Sequence, residues 1–301
     1  MAVHTVSTVL VELLHTLDEV TRCDVDVGGT TDVALGKLFG GTGINELDIH
    51  VHNDTPRGII MSTRGSLVDM KILVVTAHPD DVDFGAGGTI RKWILEGHDV
   101  VYCLVTDGQA GGSDNTITRD EMAAIRRREQ TDAAAVLGVT ELHFLGFPDG
   151  AVMADLSLRR EISAVIRRIK PDRVLTQSPE RRYDRIYASH PDHLATGEAT
   201  MCAVYPDARN EFAFPELLAE RGLAPHTVAE TWIMGGPNPK HFEDVSATID
   251  AKISALMCHA SQHQDPAAMR ERVLQWAAIV ADAGGLPSGT LAEPFLIVDT
   301  K

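Results

Sequence analysis

From Lys71 onward, short apolar runs alternate with amphipathic stretches of helical period, and this alternation constrains the chain more than any other feature. Lys71 to Ala77 is rich in Val and Ile and reads as a strand. A glycine-containing loop, a helix from about Gly88 to Glu96 and a second strand from Asp99 to Thr106 follow, which makes a βαβ unit. The pattern continues through a helix at Arg119 to Leu137, a strand at Leu142 to Leu145, a helix at Leu156 to Ile169 and a strand at Arg173 to Thr176. Beyond these come a helix from about Pro191 to Val204, a strand near Glu230 to Met234, helices near Ala247 to His259 and Pro266 to Ala283, and a last strand at Phe295 to Val298. Strands that alternate with helices imply parallel pairing with both faces covered, so the expected fold class is α/β: a Rossmann-like, mostly parallel sheet with helices on both faces.

The first 69 residues read differently. Val6, Leu10, Leu13, Leu14 and Leu17 recur at helical spacing, whereas residues 24–58 are rich in Gly, Asp and Thr with short β-like runs such as Leu47 to Val51. His50 and His52 would share one face of that run and are read as ordinary strand side chains. The expected organisation is an N-terminal extension over 1–69 with no assigned role and one enzyme-sized domain over 70–301. With 44% hydrophobic and 23% charged residues in a chain of 301, that domain can bury a substantial core.

A formal net charge of −16 repels phosphate backbones and anionic lipid surfaces, so neither nucleic acid nor membrane is an expected partner. Cys23, Cys103, Cys202 and Cys258 are far apart and form no C-x-x-C pair, which points to reduced thiols rather than a disulfide framework or a thiolate metal site. No Lys or Arg precedes Arg22 and no long apolar stretch occurs, so the cytoplasm is the expected compartment.

Chemistry concentrates in two short motifs. Ala77-His78-Pro79-Asp80-Asp81 stands where the first regular strand ends, and ligands bind beyond the carboxyl ends of strands in open parallel sheets. Two adjacent carboxylates beside a histidine repel unless a cation or shared proton relieves them, and no Lys or Arg lies in the loop. The plainer alternative is a polar turn that caps a helix. Ser189-His190-Pro191-Asp192-His193 opens a later helix, and His190 and His193, three residues apart, can face one site. Two histidines and a carboxylate leave a divalent ion one open position, the form taken by catalytic zinc. One aspartate would bind the metal while the other takes a proton from water; spacing leaves open which is which.

These residues resemble the LmbE-like, or PIG-L, de-N-acetylase family, whose hallmarks are an A-H-P-D-D stretch after the first strand and a later H-P-D-H. The flanks are similar too: Asp83-Phe84-Gly85 with Gly87-Gly88-Thr89, Thr106-Asp107-Gly108, Arg126 with Glu129 before Leu137-Gly138, and Phe147-Pro148-Asp149-Gly150. The likeness runs from about Met70 to the C-terminus; Ala208-Arg209-Asn210, Phe214 to Leu217, and His259-Ala260-Ser261-Gln262 look like actinobacterial members. The resemblance implies that 70–301 is an LmbE-like zinc hydrolase domain with Zn2+ held by His78, Asp81 and His193, and with Asp80 as general base. It implies that His190 stabilises the oxyanion and protonates the leaving amine, with Asp192 orienting its ring, and that Arg126 and Asp149 contact the sugar. The Gly-rich loop Asp107 to Thr118 would line the pocket mouth.

The implied reaction is hydrolysis of the acetamide of an N-acetylglucosamine-containing small molecule to acetate and a free amine. That amino sugar is the implied partner, and a homo-oligomer is left open. The sequence departs from the family in placing Val82-Asp83 where many relatives carry Glu, and Ala188 where some carry Tyr, with Tyr187 one place off. The alternatives are an amidase acting on a thiol-cofactor conjugate, a two-histidine, one-carboxylate iron oxygenase using His78-x-Asp80, a dinucleotide-binding module suggested by Gly85, Gly87 and Gly88, and a non-catalytic sugar-binding protein.

Overall fold

The computed structural model describes residues 33–35, 47–49 and 69–301 apart from 113, 115 and 264. The chain divides into two compact units, Met1–Val68 and Asp69–Lys301. In the first, β1 (Val33–Leu35) pairs antiparallel with β2 (Leu47–Ile49). The helical spacing of Val6 to Leu17, and His50 and His52, lie outside the described residues.

In the second unit, β3 (Lys71–Thr76), β4 (Asp99–Thr106), β5 (Glu141–Phe147), β6 (Arg173–Gln177), β7 (Glu230–Met234), β8 (His241–Asp244) and β9 (Ala292–Asp299) form one seven-stranded sheet in the order β5-β4-β3-β6-β7-β9-β8. The pairs from β5 to β7 are parallel, whereas β9 is antiparallel to both β7 and β8. The antiparallel edge and β8 are additions to the pattern read from the sequence. His241–Asp244 is too short and polar to register as a strand by periodicity.

Alternate strand residues feed two cores, as the two-residue period requires. Ile72, Val74, Tyr102 and Leu104 face α1 (Asp81–Leu95) and α2 (Arg119–Leu137) through Ile90, Trp93, Ala133 and Leu137. Leu73, Val75, Val101 and Cys103 face α3 (Leu156–Ile169) and α4 (Pro191–Cys202) through Leu158, Ile162, Val165 and Ala199. Three more helices, α5 (Pro215–Ala219), α6 (Ile249–Met257) and α7 (Pro266–Ala283), complete the unit. Among the described residues, no helix is long and apolar enough to cross a membrane.

Helix α1 starts at Asp81, a full two turns before the Gly88 expected from the sequence. Gly85, Gly87 and Gly88 lie inside it because neighbours approach too closely for a side chain. A Cβ on Gly88 would stand 2.7 Å from Cβ of Val245, and one on Gly85 would stand 2.3 Å from Sδ of Met234. These glycines serve helix packing and form no phosphate-binding turn.

Chain order fixes where the site falls. Strand β3 connects outward to β4 and β5, then the chain returns to the opposite side of β3 as β6. The carboxyl ends of β3 and β6 therefore flank the point where strand order reverses, the crevice in which open α/β sheets bind ligands.

Candidate active site

The loop after β3 is pinned before it reaches the crevice. Ala77 N–H donates to Oε1 of Gln177 at 2.9 Å, and its carbonyl accepts from the amide and the hydroxyl of Thr106 at 2.8 and 2.9 Å. Asp80 then takes φ 82° and ψ −25° at the position before α1, with no side-chain cap bond. Left-handed backbone costs a non-glycine residue roughly 1–2 kcal/mol, so something must hold it. Its N–H donates to Oε1 of Gln130 at 2.7 Å, and Nη2 of Arg126 donates to the Pro79 carbonyl at 2.6 Å and to Oδ2 of Asp80 at 3.1 Å. Arg126 and Gln130 are four apart on α2 and so share a face. Strain of this kind persists only where the surroundings over-determine it.

Three donor groups converge beside Asp80. Nδ1 of His78 lies 3.2 Å from Nε2 of His193 and 3.2 Å from Oδ2 of Asp81, and Nε2 of His193 lies 3.0 Å from Oδ1 of Asp81. Ligands at the usual zinc distances of about 2.0–2.1 Å in a tetrahedron stand roughly 3.3 Å apart. Asp81 meets the two histidines with different carboxylate oxygens, and two imidazoles with one carboxylate are the donor chemistry of a divalent-ion site; the groups of described residues whose donor atoms lie close enough together to hold an ion are His78, His190 and His193, and His78, Asp149 and Asp192. The surrounding charge is negative: burial alone would push the His78 imidazole down, yet Asp81, Asp149 and Asp192 together push it up to about 12. Burial pushes the Asp80 carboxyl up, Arg126 opposes this, and the result is about 6.

The other residues singled out from the sequence fall as follows. His190 caps α4, with Nδ1 accepting the Asp192 N–H at 3.2 Å, and its ring lies 5.0 Å from that of His78 and 5.4 Å from that of His193. Burial and the neighbouring His78 and His193 hold its pKa below the ordinary imidazole value. It is the backbone N–H of Asp192, not its carboxylate, that bonds the His190 ring. The Gly150 and Val152 amides, at 2.7 and 3.2 Å, draw its carboxylate across to His78, whose Nε2 lies 3.2 Å away. Asp149 places Oδ1 3.1 Å from the same nitrogen while Oδ2 accepts the Ala110 N–H at 2.8 Å. Arg126 and Asp149, expected at the sugar, are both buried. The Arg126 guanidinium is bonded to Pro79, Gly108 and Asp80, because α2 runs directly beneath the β3–α1 loop. Tyr187 sits in a short 3-10 turn with 71% of its surface exposed.

Sequence reasoning missed a buried chain behind Asp80. Asp83, the residue standing near the family's Glu, accepts at Oδ2 from Nε2 of Gln130 at 3.0 Å and pairs with Nε2 of His259 at 2.9 Å. The Ser261 amide and hydroxyl both bond the Glu129 carboxylate at 2.7 Å. The signals available were the helical spacing of Arg126, Glu129 and Gln130, which puts all three toward one neighbour, and the family-like blocks holding Asp83 and His259 to Gln262.

Fold and site together define an α/β protein with a cluster of histidines and carboxylates at the switch point of a Rossmann-like sheet. The family model described as PIG-L, GlcNAc-PI de-N-acetylase, matches residues 73–204. A diacetylchitobiose deacetylase from Thermococcus kodakarensis is 36% identical over 192 residues, covering 64% of this chain and 70% of that protein. A probable N-acetyl-alpha-D-glucosaminyl L-malate deacetylase 2 from Bacillus cereus is 32% identical over 204 residues, covering 65% and 84%. The solved N,N'-diacetylchitobiose deacetylase from Pyrococcus horikoshii, in complex with its inhibitor MPG, superposes with a TM-score of 0.70 at 28% identity, covering 77% of this chain and 84% of that one. The chain belongs to the PIG-L, or LmbE-like, de-N-acetylase family. That membership, and the glycines packed inside α1, leave the oxygenase and dinucleotide readings without support.

Proposed function

We propose that this protein is a zinc-dependent de-N-acetylase that hydrolyses the acetamide of an N-acetylglucosamine-containing small molecule to acetate and a free amine. The observation that carries the reading is the convergence of His78, Asp81 and His193 donor atoms to 3.0–3.2 Å beside a carboxyl group, Asp80, held apart from them by Arg126. Family membership and relatives named as deacetylases of small amino-sugar compounds support the substrate class.

His78, Asp81 and His193 would hold a divalent ion, which would supply Lewis acidity toward the amide carbonyl and acidify a nearby water. The chain's own groups do the rest. Asp80, with a carboxyl pushed up to about 6, is an anion at neutral pH that is basic enough to take a proton from the attacking water. His190 hydrogen-bonds the oxygen that becomes negative as water adds, and the proton that Asp80 took from the water passes to the amine nitrogen as the C–N bond breaks. Asp149 and Asp192 share the Nε2–H of His78, which fixes the tautomer whose Nδ1 lone pair faces Asp81 and His193. In this reading Arg126 and Asp149 position reacting groups rather than bind the sugar. The test is acetate release from a panel of N-acetylglucosamine conjugates before and after chelation, with metal analysis of the same sample. Full activity in metal-free protein would refute the metal, and no acetate from any conjugate would refute the reaction.

A further inference from the structure

A cleft of ≈ 890 Å³ opens from Asp81 and His193 and is walled by the loop ahead of α4 and by α7. Most charges along it are matched. Asp81 faces His78 and His193, Glu293 faces Lys252, and Arg182 faces Asp184. Arg185 and Arg272 also line the cleft, and neither has a carboxylate partner among the described residues. Two guanidinium groups facing one cavity without an ion-pair partner among the described residues stand out in a chain of net charge −16.

Arg185 is also held flat. Its guanidinium lies over the Trp276 ring at 3.6 Å and the Tyr187 ring at 4.9 Å, and its Nε is buried with no hydrogen-bond partner. Stacking immobilises the plane and leaves its in-plane N–H groups for an oxyanion, the arrangement that suits a carboxylate or phosphate. Beside it, Trp276 and Ile279 line the cleft and keep 38% and 52% of their surface exposed, Trp276 with one ring face against the Arg185 guanidinium.

We propose that this cleft is the aglycone subsite, and that it selects conjugates whose non-sugar part joins an apolar, ring-sized face to a carboxylate or phosphate. Arg185 and Arg272 select the charge and Trp276 receives the apolar face. The proposal rests on the deacetylase reading for the position of the sugar. The test compares kcat/KM for acetate release from N-acetylglucosaminides bearing methyl, phenyl, carboxyphenyl or phosphophenyl aglycones. Calorimetric binding of the corresponding free-amine glucosaminides, which cannot turn over, is measured beside it.

The expected result is a preference of about tenfold or more for at least one charged aryl aglycone over phenyl, the size of one charge-assisted hydrogen bond. The preferred anion identifies the oxyacid. The charged-to-neutral ratio falls to within about twofold in Arg185→Gln/Arg272→Gln, and the phenyl-to-methyl ratio falls in Trp276→Ala. Arg270→Gln, a cation paired with Asp250 outside the cleft, leaves both ratios as they are. Ratios within one variant do not depend on how much of it folds. Turnover without charge preference overturns the subsite and leaves the deacetylase reading standing. Arginine-dependent, charge-selective binding without any turnover keeps the subsite and overturns the deacetylase reading. Neither turnover nor selective binding overturns both.

Discussion

At Asp80 a strained backbone and an ionisable side chain coincide, and the two adjacent aspartates acquire different work because of it. The left-handed turn at φ 82° rotates Asp80 toward Arg126 and lets Asp81, the first residue of α1, point at His78 and His193. Asp80→Asn is therefore expected to retain bound metal while kcat falls by about 100-fold or more, whereas Asp81→Ala is expected to lose metal by elemental analysis; exchanged phenotypes would reverse the assignment. Gln130 touches no reacting atom, yet it accepts the Asp80 N–H and joins it to Asp83. Gln130→Ala should lower kcat by about 10–100-fold with KM nearly unchanged, and Gln130→Glu, which keeps an acceptor for the Asp80 N–H but sets a second carboxylate against buried Asp83, should not recover the loss. A kcat within about twofold of the parent in Gln130→Ala would remove Gln130 from the positioning of Asp80. The candidate metal donors were legible in the sequence because each motif carries its donor types within a few residues. The direction of the Asp192 carboxylate was not, since it is decided by the Gly150 and Val152 amides from another loop.

Helix α1 shows how one element can be shaped by its neighbours. The amides of Gly88 and Thr89 donate to the Glu293 carboxylate at 3.0 and 2.8 Å, while Lys252 bonds both Glu293 and the Phe84 carbonyl. A buried ion pair thus ties the ladder of α1 to α6 and β9. Removing one partner of such a pair leaves an uncompensated charge, so Lys252→Met is expected to cost about 3–5 kcal/mol in denaturant unfolding. A loss below about 1 kcal/mol would show that the charge is solvated or already neutral. Gly88→Ala sets two effects against each other. Helix propensity gains up to about 1 kcal/mol, but a Cβ 2.7 Å from Val245 overpacks a buried contact at about 1–3 kcal/mol. The contact should win, lowering Tm, and Val245→Ala should restore stability in the double variant; additivity of the two losses would contradict the steric account. The sequence pattern misplaced the start of α1 for the same reason: three glycines in four residues signal a loop locally, and only the packed partners show why a helix needs them.

At the scale of the molecule, every residue placed at the site lies within Asp69–Lys301, the larger compact unit. Residues 69–301 expressed alone are expected to bind metal and release acetate with kcat within about threefold of the full chain, an energetic difference below 1 kcal/mol; loss of metal from the shortened chain would assign the first 68 residues a part in the site. Local periodicity was enough to determine an alternating α/β chain, because the 2.0 and 3.6 repeats are imposed by backbone geometry on whichever residues must face a core. Motif chemistry was enough to call for a cation near His78, Asp80, Asp81, His190 and His193, because carboxylates and imidazoles crowd into so few residues; which of them would hold it came only from the resemblance to a known family. Only the tertiary structure decided that strand order reverses between β3 and β6, that a short polar strand extends the far edge, and that Asp83, Gln130 and His259 form one buried chain. Those features depend on contacts between residues far apart in the chain, and the free energy of such contacts is set by which surfaces the fold brings together rather than by any local pattern.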